Sequence, residues 1–452
     1  MIYLTILTLT NFTKLFENMI KIITIALILI TNSFVFSQRP APAAEQKNSV
    51  LIKNATIHVG NGNIIENGFV LFEKGIIKEI GSALNQNSIA ANTDVIDAAG
   101  KHIYPGIIAT NNSLGLIEIE AVRASNDLYE VGSINPNVNS SVAFFTDSRV
   151  IPTVRSNGIL IVQSTPRGGF VSGNSSILNL DAWNYEDALI KSADGIHVNW
   201  PDLDYPNFNA DEKDAKEKSE KGNNYLKRIN SLIELFSKAK NYSGSEEKDL
   251  KLEALKGLFD GSKKLYVHAQ RYNQIYDAVA LCKKLEIVSP VIVGGDESIK
   301  AASILKKFNV PVMLQRTHSL PPNADADLDY FYKLPYLLQK EGILFCLQNE
   351  GDMEAMGARN LPFIAGTALA YGLTAEQALS SITLNAAKII GIDKKYGSIE
   401  IGKSATLFIS TGNALEMMTN NVEQAFIDGR NIDLNNHQKE LYLRYSQKYG
   451  IK

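Results

Sequence analysis

Two histidines, two acids and an arginine stand just past short apolar runs in the second half of the chain. His268 follows residues 265–267, Arg316 and His318 follow 310–314, and Glu350 and Asp352 follow 343–347. An imidazole beside carboxylates can take and return a proton, and the same set can hold a divalent cation. Earlier, Asn111 and Ser113 follow the run at 107–108, and Gln163 follows 159–162. These amides and hydroxyls suit hydrogen bonding to a substrate. The expected catalytic groups are therefore His268, Glu350 and Asp352, with Arg316, His318, Asn111, Ser113 and Gln163 binding substrate. A hydrogen-bonded polar group at a strand end is the plain alternative for His268.

The runs that precede these residues set where they point. Those at 159–162, 310–314 and 343–347 are four or five residues long and mostly apolar, the mark of a strand buried on both faces, and those at 107–108 and 265–267 are shorter. Helical patterns at 272–285, 297–307, 332–341 and 361–371 alternate with them, which argues for parallel βα units in an α/β fold. In such folds the carboxyl ends of the strands open onto the active-site face. Residues 166–176, PRGGFVSGNSS, read as a loop, and no Lys-Ser/Thr follows to make it a phosphate cradle. Residues 209–262 interrupt the rhythm with mixed charge and read as a solvated helical insertion. Before the barrel-like part, residues 49–80 alternate apolar and polar residues between glycines, a hairpin signature.

Composition narrows the function classes. Hydrophobic content of 45% and charged content of 21% are globular values, and 452 residues exceed one ordinary core. A net charge of −3 provides no basic field, so nucleic acid is not an expected partner. The two cysteines, Cys282 and Cys346, each lie in an apolar run and read as buried thiols. Residues 19–38 have a Lys21 start, an apolar centre at 22–30 and small residues Val35 and Ser37. That is the layout of a cleaved secretory signal starting at Met19, and it is short for a span of about 20 residues. The expected location is periplasmic or secreted.

The stretch Pro105-Gly106-Ile107-Ile108 resembles the PG(L/I)IDxHxH signature of the amidohydrolase superfamily. Asn111 and Ser113 stand in place of its two histidines, and Ala109 in place of its aspartate. Residues 396–410 and 422–432 match the closing GSLEPGKxADLVV and VxxVxxDGR patterns of imidazolonepropionase-like members. GLIE at 115–118, VGSINPN at 131–137, GGFVSG at 168–173 and RNLP at 359–362 are similar to a secreted, divergent subgroup. The resemblance spans about residues 48–435. It implies a distorted TIM (β/α)8 barrel plus a small β-sandwich built from both ends of the chain. The implied boundaries are 1–38 signal, 39–48 leader, 49–104 sandwich, 105–395 barrel with the insertion, 396–435 sandwich and 436–452 a C-terminal helix or tail.

It also implies hydrolysis of C–N bonds in non-peptide or cyclic amides, by water bound to a metal pair. That pair takes two histidines from strand 1, one each from strands 5 and 6, and an aspartate from strand 8. The chain has six histidines, and His58, His102 and His437 lie away from the strand ends in question. Only His197, His268 and His318 remain, so four imidazoles cannot be assembled. The strand-6 position falls at Gly294-Gly295. The expectation is a degenerate site: one divalent ion such as zinc held by His268 and Asp352, or no metal. Two outcomes stay open, a hydrolase and a catalytically inactive barrel that binds a ligand or supports a partner. The expected partners are a small molecule and a second chain, either another copy or a related amidohydrolase.

Overall fold

The computed structural model describes residues 19–21, 24, 41–85, 89–202, 212–244, 248–351 and 353–451. The chain forms two compact units, Met1–Ala41 and Pro42–Lys452, and everything below concerns the second. The expected signal segment lies outside the described residues except for 19–21 and 24, which are helical. Asp352 lies outside them too.

The chain opens with β1 (Val50–His58), β2 (Ile64–Glu73), β3 (Ile76–Gly81), β4 (Asp94–Asp97) and β5 (His102–Pro105). Alternation decides their faces: Val50, Ile52, Val70 and Phe72 enter one core, while Leu51, Phe69 and Leu71 enter another. Next come the strands of a second sheet: β6 (Ile107–Asn112), β7 (Ile159–Ser164), β8 (Val171–Asn179) and β9 (Leu189–Asn199). They are followed by β10 (Lys264–Ala269), β11 (Pro290–Gly294), β12 (Val312–Leu314) and β13 (Phe345–Leu347). The chain then returns to the first sheet with β14 (Leu407–Ser410), β15 (Val422–Ile427) and β16 (Arg430–Ile432). The seam is the antiparallel pair β5–β14, with Ile103 opposite Ile409. Both ends of the chain thus share one eight-stranded sheet, in the order β16-β15-β14-β5-β1-β2-β3 with β4 on β1.

β6 to β13 neighbour one another in chain order and curl into a nearly closed barrel. The strands run parallel except that β8 is antiparallel to both β7 and β9. Between the edge strands β6 and β13, Thr110 Oγ1 lies 3.5 Å from Cys346 Sγ. Most of β8 falls inside the stretch read from sequence as a loop. Its serines and asparagine made it look solvated, yet every position is buried. The interior supplies their partners: Ser176 Oγ donates to Asn139 Oδ1 at 2.6 Å, and Asn174 Nδ2 to the Val138 carbonyl at 3.1 Å. Hydrogen-bonded polar groups can be buried at little cost.

The charged insertion is not wholly solvated either. Its long helix, Glu212–Lys240, buries Leu232, Phe236 and Ala239 in the barrel core, a spacing of three and four that puts them on one face. The helices Tyr272–Lys284, Ala302–Lys307, Tyr330–Lys340 and Leu361–Ala370 fall where periodicity placed them, the second starting later. Asp181 joins barrel and first sheet: Arg155 Nη1 reaches its Oδ1 at 2.6 Å, and Arg430 Nη1 its Oδ2 at 2.8 Å.

Candidate functional site

The carboxyl ends of β6, β10 and β13 converge on one polar mouth. Asn111, at the tip of β6, has φ +47°, a left-handed conformation that asparagine tolerates better than most residues. Gln163 on β7 fixes it there by accepting the Asn111 N–H at 3.0 Å. So held, Asn111 donates through Nδ2 to Glu350 Oε2 at 3.0 Å. Its Oδ1 and carbonyl oxygen both accept from Arg167, each at 2.8 Å. The other side of that guanidinium grips Glu354 twice, at 3.2 and 3.0 Å, the forked geometry that makes such pairs strong.

Below this clamp Gln163 Nε2 donates to Asp194 Oδ2 at 2.9 Å, and Lys191 Nζ meets Asp194 Oδ1 at 2.9 Å. Tyr266 donates its hydroxyl to the same carboxylate. Burial, together with that carboxylate, pushes the Tyr266 hydroxyl well above its ordinary range, so it stays a donor. Gln163 is fully buried, so it reaches the mouth through Asn111 and not through open space.

Beside the clamp runs a chain of imidazoles. His197 Nδ1 lies 3.0 Å from His268 Nε2, and His197 stacks on Tyr266 with centroids 4.6 Å apart. Burial first, then the charges of His268 and Arg167, hold His197 far below the usual histidine range, so it is neutral. On its other side His268 Nδ1 stands 3.7 Å from Glu350 Oε1. Burial alone would raise the Glu350 carboxyl. His268, Arg167 and Gln348 outweigh it and pull it down to about 2.

His268 and Glu350 face a cavity of about 670 Å³ that also holds Asp296, Gln270, Trp200 and Arg271. Burial, with Glu297 and Glu350 nearby, pushes the Asp296 carboxyl up to about 7, and its Oδ1 has no hydrogen-bond partner. Glu350 also lines a second cavity of about 400 Å³ with Ser113, Arg167 and Glu354. Arg316 and His318 line a third, of about 290 Å³, with Asn349 and Arg359. His318 Nε2 is bonded to Thr367 Oγ1 at 2.7 Å, and burial and Arg316 lower its pKa. The structure therefore joins His268, Glu350 and Asn111 directly, brings Ser113 to the adjoining cavity, and sets Arg316 and His318 apart in the third.

Comparison with known proteins agrees with this architecture. Residues 340–432 match the model of the Amidohydrolase family. The chain is 24% identical over 409 residues to an imidazolonepropionase of Flavobacterium psychrophilum, covering 81% of this chain and 92% of that protein. It is 21% identical to the amidohydrolase tasK of Hapsidospora irregularis, covering 89% of this chain but 42% of that longer protein. The solved amidohydrolase of Thermotoga maritima superposes with a TM-score of 0.73 at 24% identity, over 85% of this chain and 99% of that one. Together these matches support membership of the amidohydrolase superfamily.

The sequence resemblance sets the strand-6 histidine position at Gly294-Gly295, and Gly294 ends β11. A Cβ built there would lie 2.3 Å from Gln270 Nε2, so the neighbouring amide occupies the room a side chain would need. Among the described residues no three His, Cys, Asp or Glu side chains gather as a metal-ion cluster. Sequence reading missed four contributors: Arg167, His197, Asp296 and Glu354. Asp296 and Glu354 each follow a strand end by a few residues, a signal that was available. Arg167 lies in a Gly-rich stretch and nothing local marks its reach. His197 was noticed only as a leftover imidazole.

Proposed function

We propose that this amidohydrolase is a secreted hydrolase of C–N bonds in non-peptide or cyclic amides, with a degenerate metal site. The observation that carries the reading is the 3.7 Å gap between His268 Nδ1 and Glu350 Oε1, facing the cavity that also holds Asp296. The separation is longer than a hydrogen bond, and both residues line the cavity, so one water on the cavity side can touch the two at once. Water attacks the scissile carbonyl carbon, His268 takes its proton, and the Glu350 carboxylate stabilises the imidazolium. The proton then passes to the departing nitrogen as the C–N bond breaks, leaving a carboxylic acid and an amine. Asp296 titrates near neutrality and provides a second proton acceptor on the same wall.

A two-metal centre does not fit the described side chains. His268 Nε2 already faces His197, Asn111 is bonded to Arg167 and Glu350, and Gln270 fills the space beside Gly294. Neutral amides are also poor metal ligands.

The test is a turnover panel of hydantoins, lactams, cyclic imides and N-acyl amines on protein purified without chelator. Hydrolysis that survives chelator and is lost in Glu350→Gln supports the proposal. Two tightly held metal ions per chain, measured by mass spectrometry, would overturn the degenerate site. Export is tested separately: the secreted protein should begin at Gln38 or Arg39, and retention in the cytoplasm refutes it. A second reading, a ligand-binding barrel or partner subunit without catalysis, draws on the Arg167–Asn111–Glu354 clamp, whose polar groups are largely engaged with one another. Ligand binding with no turnover across the panel would favour it.

A further inference from the structure

We infer that the second cavity of the mouth receives a cationic group carried on an apolar stem, so that the substrate is an amide bearing an ammonium, amidinium or guanidinium beside the scissile bond. The placement beside that bond rests on the hydrolase reading, because Glu350 lines both this cavity and the one that holds His268.

Charge is the first ground. Among the described residues, four glutamates (118, 120, 350 and 354) line the cavity against one guanidinium, Arg167. That guanidinium is spent: both its prongs are on Glu354 and Asn111. Glu350 faces His268. Glu118 and Glu120 have no ion-pair partner among the described residues, and Glu118 Oε1 is buried with nothing bonded to it. A desolvated carboxylate oxygen without a partner is costly, and a bound cation removes that cost.

The second ground is independent of charge. Ser113 is 1% exposed, its Oγ has no hydrogen-bond partner among the described residues, and it lines this cavity. A hydroxyl oxygen there can accept from an N–H of the same cationic head. The third ground is shape. Ile117, Leu128, Val150, Met353 and Met356 make up most of the remaining wall. They give an apolar stem something to lie against, and the methionines can adapt to its outline. A cavity of about 400 Å³ fits a single ring or a short alkyl chain with its charged head.

The test compares benzamidine, a planar cation, with benzamide, its neutral near-isostere, by calorimetry on the intact protein. Benzamidine should bind at least about tenfold more tightly, the factor expected when hydrogen bonds to a charged group are at stake. Glu118→Gln should cut that preference by most of the factor, and Ser113→Ala by less, both with unchanged circular dichroism. Should Glu118→Gln fail to fold, Ser113→Ala and the wild-type preference still decide. Equal binding of the two probes, tighter binding of benzoate, or a preference untouched by both variants overturns the inference. Binding is read without turnover, so the two readings fail separately. A protein that hydrolyses nothing yet keeps the preference refutes the hydrolase, whereas turnover of neutral or acidic amides without any preference refutes the cation site.

Discussion

The molecule holds two histidine pairs of nearly the same composition in different settings. In the mouth, His197 and His268 approach to 3.0 Å, one stacked on Tyr266, with Glu350 beyond. In the first sheet, His58 at the end of β1 and His102 at the start of β5 approach to 3.1 Å, with His58 stacked on Tyr104 at 4.4 Å. There the carboxylate is Glu376, from the helix Ala375–Ser381, and it touches His58 Nδ1 at 2.6 Å. The decisive difference is 2.6 against 3.7 Å. A direct bond leaves no seat for water and ties a helix to two strands, which makes a fastener. A gap opening onto a cavity leaves both atoms able to act on a third molecule. Residue types alone would have assigned both sites the same role.

The sharpest way to break that comparison is to remove each carboxylate in turn. Glu350→Gln and His268→Ala should lower kcat/KM by roughly 10²- to 10⁴-fold, read by steady-state kinetics on the best substrate of the panel. Glu376→Gln should leave kcat/KM within a few fold. Equal losses at both sites would erase the distinction. Next in size is stability. Arg167→Met strands Glu354 and should cost about 3–5 kcal/mol in denaturant unfolding, as loss of one partner of a largely buried ion pair does. Glu376→Gln should cost about 1–3 kcal/mol by the same measurement, since His58 keeps a weaker partner.

The smallest effects are in pH dependence, and their signs differ. Asp296 is raised in the folded protein to about 7, so its contribution is fully present below the ordinary carboxyl pKa and is lost as pH rises toward 7. Glu350 is lowered to about 2, so its contribution is present above the ordinary value near 4.5 and is lost as pH falls toward 2. Burial and His58 lower His102, so its contribution is present above about 6.5 and lost as pH falls below it. Unfolding measured from pH 3 to 8 should show Asp296→Asn flattening the upper part of the curve. His102→Gln should flatten the part just below 6.5.

Much of the scaffold was legible in the sequence. Apolar runs of four to six residues fix buried strands because their side chains must leave water whatever their neighbours turn out to be. The matching segments at 396–410 and 422–432 announced that the chain ends return to one sheet, and β14 and β15 do so. The neutral residues Asn111 and Ser113, and the glycines at 294–295, were equally readable, because composition needs no coordinates. His268 and Glu350 were named from their place past a strand, and the fold sets them side by side.

What the sequence could not decide was partnership. Arg167 meets Asn111 across 56 residues and Glu354 across 187, and His197 meets His268 across 71. No local period carries such distances. Only closing the barrel brings these side chains together. Only the closed barrel desolvates Asp296 enough to raise it, and sets His268, Arg167 and Gln348 where they outweigh burial and lower Glu350. β8 is the same lesson at the level of an element. Its serines look like loop residues until the interior provides the hydrogen bonds that let them be buried. Local chemistry determined which residues stand at the strand ends, and tertiary packing determined which of them face a gap and which are already bonded.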